Sequence, residues 1–584
     1  MEASSVLGYD VGVIDMRSST SFQVSVGPSV GLILPMNVWC GQQPARCVDC
    51  IKYAMDVVST LPRGNILQKR FRLLGSLLAL SLVAVACSDS SKDTATTGTS
   101  TSGSSDGTAA PVKGAAITIA LGSEPTSLDP YIVDDGAERA INDNIYETLL
   151  SRDAGGTLQP GLATALPTQV DDTTWQFKLR DGVKFHDGSA FNADSVIASV
   201  NRIVKLVTDA ATDNDGFYKT ITGAVKVDDL TVNITTAGPD GVLPARMYWL
   251  KMIPTSAETT ADLSDSLVGT GPYKFVSRTV GSDIKITVNP DYWGDAPSIS
   301  DVTYEFVAEG GTRLAGLKSG KYDLITNLPP QDVDQAPKSA NVQGQEHPVL
   351  ILDTDEGITA DPNVRLALNM AVDKQAIIDQ IYGGFAVADA SQLLSPTVLG
   401  FNADLSAVPY DAAKAKQMIT DAGLDGKTIQ LVGEAGRWLN DRELLEAVAG
   451  YWKAAGLNVQ LDILEFGAYL DVLFDRTNRA DAVFVSSSND LLDPDRQLST
   501  YYQAGGVGSS NTNEELSGLI DQGRQQLDPA ERQTTYEKAM KIAADGSYFV
   551  WLASNSDLYG LSTRMSWTPR VDSKLLVKEM SVTS

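Results

Sequence analysis

The chain holds few reactive side chains, and their spacing suits binding better than catalysis. Its 584 residues include two histidines and four cysteines. Cys40, Cys47 and Cys50 have a metal-like spacing but lack a fourth ligand. There is no HExxH motif. Lys318 and Ser319 follow Gly311 and Gly316 roughly as in a phosphate loop, but Leu317 intervenes and no strand enters, so an amphipathic helix is expected there. With 73 acidic residues, neighbours such as Asp134-Asp135 arise from composition and do not mark a glycosidase. His186 reads as a turn or surface residue. No catalytic residue, metal site or cofactor is expected. Arg437 and Trp438, between a strand near Leu431 and a helix from Glu443, have pocket-lining chemistry: a guanidinium for a carboxylate and an apolar wall.

The stretch from Lys69 to Pro111 states where such a binder works. Lys69, Arg70 and Arg72 precede an uncharged run, Leu73 to Ala86, which is short for a membrane span and suits the core of a signal peptide. The run ends Ala84-Val85-Ala86-Cys87, as a bacterial lipoprotein leader does, so Cys87 is the expected lipidated first residue. A lipoprotein leader usually has Leu three places before the cysteine; Ala84 stands there. Cys40, Cys47 and Cys50 would be removed with the leader, leaving mature domains without a thiol to oxidise, as suits an exported protein. Residues 1–68 are expected to be absent from the working protein, with Met55 or a later codon as the start. Residues 88–112, rich in Ser, Thr and Gly, form the expected tether; the 24 residues from Ser88 to Pro111 reach roughly 27 Å as a coil.

The remainder is long enough for two or three globular lobes. Net charge is −27, and residues 1–87 carry seven Lys/Arg and five Asp/Glu, so losing that +2 leaves −29. Such a surface repels nucleic acid and anionic headgroups. Alternating apolar residues predict strands at Ile117 and Ile119, at Trp175, Phe177 and Leu179, at Leu230, Val232 and Ile234, and at Ile284, Ile286 and Val288. Helical periods span Ala193 to Val204, Val364 to Val372, Asp411 to Ala422 and Glu443 to Ala455, the last two ending at Gly423 and Gly456. Val459, Leu461 and Ile463 form a strand directly after. The expectation is mixed α/β without a fixed repeat.

A series of short motifs carries a resemblance. Ser127-Leu128-Asp129-Pro130, Tyr146-Glu147-Thr148-Leu149, Trp175 to Arg180, Gly182 to Gly188 and Ala193-Asp194-Ser195-Val196 come first. Gly269 to Tyr273, Asn289 to Trp293, Leu317 to Asp323, Val364 to Leu368 with Val372-Asp373-Lys374, and Tyr410-Asp411 before Ala422-Gly423 follow in order. From about Ile117 onward the chain resembles the family 5 extracellular solute-binding proteins, the peptide and nickel receptors of ABC importers.

The resemblance implies a two-lobed periplasmic-binding-protein-like α/β fold of class II, cluster C type, with an extra subdomain in the N-terminal lobe. Lobe I would comprise 113–149, 255–350 and 553–584, the subdomain 150–254, and lobe II 351–552. It implies a non-enzymatic monomer, lipid-anchored outside the cytoplasmic membrane, that passes an oligopeptide or similar polar solute to a permease and ATPase complex. Its membrane contact would be through the lipid alone. Oligosaccharides and metal chelates are alternative cargoes, and a tethered exported hydrolase is the alternative of another class. The family's ammonium anchor is an aspartate in a loop after a lobe II strand; with Asp481 to Val485 as that strand, Asp490 takes the position. Three residues earlier, where an aromatic is common, stands Ser487, within the run Ser486 to Asn489. Ser487 and Asn489 would make the pocket roomier and more polar. Asp134 and Asp135 would face the cleft from the other lobe.

Overall fold

A computed structural model describes residues 113–583 except 134, 213–214, 476–478 and 507. The leader, Cys87, the tether and Asp134 lie outside the described residues. Among the described residues no helix is long and apolar enough to cross a membrane.

Two β-sheets organise the chain. The first runs, edge to edge, Lys338–Gln343, Ser554–Leu561, Leu324–Ile325, Ala115–Leu121, Ile299–Phe306, Asp283–Val288 and Tyr273–Thr279, with Ala386–Val387 paired to Ser554–Leu561 off that path. Ala115–Leu121 is parallel to both neighbours. The second sheet runs Asn458–Leu464, Thr428–Glu434, Ala482–Ser487, His347–Leu352 and Phe549–Trp551. A smaller four-stranded sheet, Thr168–Asp171, Thr174–Lys178, Thr231–Thr236 and Ile221–Asp228, is covered by helix Ala193–Thr208. That helix starts where expected and runs four residues past Val204. Asn192 and Ser195 close a reciprocal cap at its start, satisfying amides that a helix leaves open.

Alternation explains why the second sheet forms. Leu350, Leu352, Ala482 and Phe484 pack into a core on one face, and Val349, Ile351, Val483 and Val485 into a core on the other. Both faces are covered, so the strands read as nearly continuous apolar runs. The helices Ala412–Asp421 and Asp441–Ala454 are followed by Gly423 and Gly456 at φ +70° and +110°, a region that costs a residue with a Cβ. The site of the doubtful phosphate loop is helix Gly310–Lys318.

Apart from the short strand Ala386–Val387, which returns to pair with Ser554–Leu561, the described chain passes between the two large sheets twice. Residues 344–346 lead from Lys338–Gln343 into His347–Leu352, and residues 552–553 lead from Phe549–Trp551 into Ser554–Leu561. The first passage falls shortly before the expected boundary at 350, because His347 to Leu352 is already paired along its length with Ala482–Ser487. The passages bind each other: Gly344 N–H donates to Asn555 O and Asn555 N–H to Glu346 O, both at 2.9 Å.

Arginines join the smaller sheet's segment to the loop after Ala482–Ser487. Arg246 pairs with Asp240 and, at 3.2 Å, with Asp495. Arg532 holds Asp493 through both carboxylate oxygens at 3.0 Å and donates to Gly241 O. Arg532→Ala strands the 5% exposed Asp493 carboxylate and is expected to cost about 3–5 kcal/mol in urea unfolding. Replacing both partners by leucine should cost distinctly less.

Candidate functional site

Asp490 lies in the loop that leaves strand Ala482–Ser487, and its carboxylate keeps 14% exposure. Arg139, from helix Gly136–Ile145 beside the first sheet, approaches it at 3.3 Å. The guanidinium also lies 5.2 Å from the Trp249 ring centroid, a cation–π placement that fixes its direction. Leu492 holds the loop's turn at φ +52°, an unfavourable conformation for a residue with a Cβ. Arg152 stabilises that turn by donating to Leu491 O at 2.9 Å and Leu492 O at 3.2 Å. Asp490 is thereby presented toward the first sheet rather than left on a free loop.

Two more carboxylates stand at the passages. Glu346 belongs to the first passage and Asp557 to strand Ser554–Leu561 just after the second. Both are partly exposed. Burial pushes Glu346 up to about 7; Asp557 and Asp490 add to the rise, against hydrogen bonds from Ser486 and Asn555. Burial likewise pushes Asp557 up to about 6, with Asp490 adding and Ser573 and Tyr559 opposing. Ser486 Oγ donates to Glu346 at 2.8 Å, and Ser573 Oγ to Asp557 at 2.5 Å. A Cβ on Gly344 would come within 3.1 Å of Asp557 Oδ1, so glycine permits this close approach.

The other expected residues fall into two groups. Ser487 is 1% exposed and Asn489 0%, and both bond to Gln497: Gln497 Nε2 donates to Ser487 Oγ at 3.3 Å, and Asn489 Nδ2 to Gln497 Oε1 at 3.2 Å. They support the loop from beneath. Asp135 caps helix Gly136–Ile145 by accepting from Ala137 N–H at 2.7 Å and so sets the direction of Arg139 one turn on. Arg437 and Trp438 form a separate wall. Their loop is shaped by the buried Asp441 carboxylate, which accepts from the N–H groups of Gly436, Arg437 and Trp438. Trp438 meets Phe484 edge-on at 5.4 Å and Tyr469 at 6.1 Å, while Arg437 stays half exposed beside Phe466. Tyr501, whose hydroxyl lies beside Ser487, feels the Arg437 charge and connects this wall to the Asp490 loop.

Arg139, Glu346, Asn555 and Asp557 carry no motif that would have marked them. For Glu346, Asn555 and Asp557 the available signal was their location next to strand ends where the chain changes sheets; Arg139, inside helix Gly136–Ile145, had none.

The two histidines have structural partners. Burial pushes His186 down to about 4, and it bonds Gly271 O at 3.0 Å through Nε2 while Nδ1 accepts from Gly269 N–H. His347 Nδ1 lies 2.7 Å from Asp389 and Nε2 lies 3.0 Å from Ser395 Oγ. That is the bonding order of a hydrolase triad, but all three residues are at most 3% exposed, so a substrate cannot reach Ser395. The group ties the start of His347–Leu352 to the segment after Ala386–Val387.

Residues 157–509 match the family model of the bacterial extracellular solute-binding proteins, family 5. The chain belongs to this family. Heme-binding protein A of Haemophilus influenzae is 26% identical over 533 residues, 84% of this chain and 95% of that protein. Di/tripeptide-binding protein 1 of Pseudomonas aeruginosa is 27% identical over 72% of this chain and 85% of its own length. Among solved structures, the ABC transporter-associated periplasmic binding protein DppA of Helicobacter pylori, in complex with the peptide STSA, superposes with a TM-score of 0.67 at 24% identity. It covers 81% of this chain and 99% of that one. The expected fold is borne out: this family 5 binding protein is two-lobed and α/β, built around the two sheets joined by the double passage. As a family 5 protein it is an extracytoplasmic solute binder.

The raised Glu346 value has a consequence for stability. From the ordinary glutamate value of 4.5 to about 7 the native protein holds a proton more tightly than the unfolded chain. The resulting stabilisation is complete below 4.5 and lost as pH rises through 7. Glu346→Gln should therefore gain about 1–3 kcal/mol at pH 8 relative to its effect at pH 4, measured by urea unfolding at the two pH values.

Proposed function

We propose that the protein is the lipid-anchored receptor of an ABC importer, a monomer that captures oligopeptides between its lobes and delivers them to a permease and ATPase complex. The lobes of the proposal are 113–149, 255–346 and 553–584 for the first, with 150–254 inserted, and 347–552 for the second. The observation that carries the reading is Asp490, a partly exposed carboxylate of one lobe neutralised by Arg139 of the other. A peptide's α-ammonium can replace the guanidinium at Asp490, and the released Arg139 can take a carboxylate of the same ligand. A ligand that satisfies both lobes stabilises the closed arrangement by its difference in affinity for open and closed forms.

Arg437 and Trp438 supply a second wall for the ligand's side chains; Ser487, Asn489 and Asp135 act through the loop and the helix they support. The named relatives favour this reading, since one is a di/tripeptide-binding protein and one solved neighbour holds a peptide. The heme-binding relative favours a bulky non-peptide solute as the second reading.

Asp490→Ala is expected to weaken tripeptide binding by about 2–5 kcal/mol in titration calorimetry. Unchanged affinity would transfer support to a non-peptide solute. The anchor has its own test: in a bacterial host, Cys87→Ser should move the protein from the membrane fraction to the soluble exported fraction. Equal membrane association of the two forms would reject Cys87 as the anchor.

A further inference from the structure

Asp490 accounts for one positive group of a ligand, yet two further carboxylates face the same junction. Gly344 N–H donates to Asn555 O and Asn555 N–H to Glu346 O, both at 2.9 Å, and a Cβ on Gly344 would meet Asp557 Oδ1 at 3.1 Å, which brings Glu346, Asn555 and Asp557 together. Asp557 and Asp490 act on Glu346, Asp490 acts on Asp557, and the groups acting most on the pair include no lysine or arginine. Arg139 contacts Asp490. Asn555 joins this cluster from strand Ser554–Leu561, just after the second passage. It lies beside the Glu346 carboxylate and the Tyr382 hydroxyl, it is 5% exposed, and its Oδ1 has no hydrogen-bond partner among the described residues. The junction therefore offers two carboxylates and a carbonyl oxygen, all acceptors, beyond the anchor itself.

We propose that Glu346, Asp557 and Asn555 form a second cation subsite beside Asp490, so that the protein selects ligands bearing two positively charged nitrogens, such as peptides whose first residue is lysine. The α-ammonium takes Asp490 and the side-chain ammonium takes the pair of carboxylates, with Asn555 Oδ1 accepting one of its protons. This rests on the peptide reading for the α-ammonium, while the second subsite stands on its own residues.

Proton linkage follows from the same geometry. Glu346, pushed up to about 7, keeps a proton on part of the population near neutrality when no cation is present, and Asp557, pushed up to about 6, does so in mildly acidic solution. The other titratable groups facing them are Asp490 with its Arg139 partner, and Tyr382 and Tyr559, whose hydroxyls burial raises so that they stay neutral. An arriving ammonium replaces a proton, so binding releases it and strengthens with pH.

Titration calorimetry with Lys-Ala-Ala, Ala-Ala-Ala and cadaverine on the intact mature protein tests this. Lys-Ala-Ala should bind about tenfold tighter than Ala-Ala-Ala. Its advantage should grow from about pH 5.5 to about pH 7.5, with proton release detected by comparing buffers of different ionisation enthalpy. Glu346→Gln and Asp557→Asn should each reduce the Lys-to-Ala affinity ratio, and Asp557→Glu should keep it, with thermal melting reporting that each variant is folded. Equal affinity for both peptides in the wild type at both pH values overturns the proposal. If neither peptide binds, the peptide reading fails; cadaverine binding with proton release would then still support the subsite, and its absence would overturn it.

Discussion

The two passages between the sheets are hydrogen-bonded to each other, and the rest of the architecture is arranged around that pairing. Gly344 and Glu346 exchange backbone hydrogen bonds with Asn555, so the passages form a narrow pivot. Gln343 adds to it by donating through Nε2 to Ser554 and Asn555. A change in the angle between the sheets must be absorbed by these few residues, the usual arrangement for hinge closure. Side chains on the pivot stand at the base of any space that opens between the sheets. That is where Glu346 and Asp557 are found.

Charge explains what the pivot can hold. Burying carboxylates is costly, and the elevated values of Glu346 and Asp557 reflect that desolvation first, with the neighbouring carboxylates adding to it. Elsewhere the loop after Ala482–Ser487 has its carboxylates matched by arginine, Asp493 by Arg532 and Asp495 by Arg246 and Arg524, and both are nearly buried. Asp490 differs in remaining partly exposed. The matched pairs set the loop's position, and Asp490 is the member of the series still open to exchange its partner.

Much of the fold was legible because burial imposes its period on the chain. The strands at Trp175, Val232 and Ile284 and the helices ending before Gly423 and Gly456 stand within a few residues of where alternation and capping place them. Register and pairing were less legible, since Ala115–Leu121 finds its neighbours at Ile299–Phe306 and Leu324–Ile325, about two hundred residues away. The site divides in the same manner. Asp490 came from the family resemblance, which implies an ammonium anchor in a loop after a lobe II strand. Ser487 was expected to make the pocket roomier and more polar, whereas it closes a strand buried on both faces and its hydroxyl accepts from Gln497. Glu346 and Asp557 were invisible because only the pairing of two distant passages makes them neighbours.

The central claim is that cargo is held at the pivot between the sheets by carboxylates of both. A crystal structure of the protein with its bound cargo tests this most directly. The expected result is a cationic nitrogen within hydrogen-bond distance of Asp490, with Arg139 turned away from it toward an acidic group of the ligand. Cargo bound elsewhere, with the Arg139–Asp490 pair intact, would contradict the account.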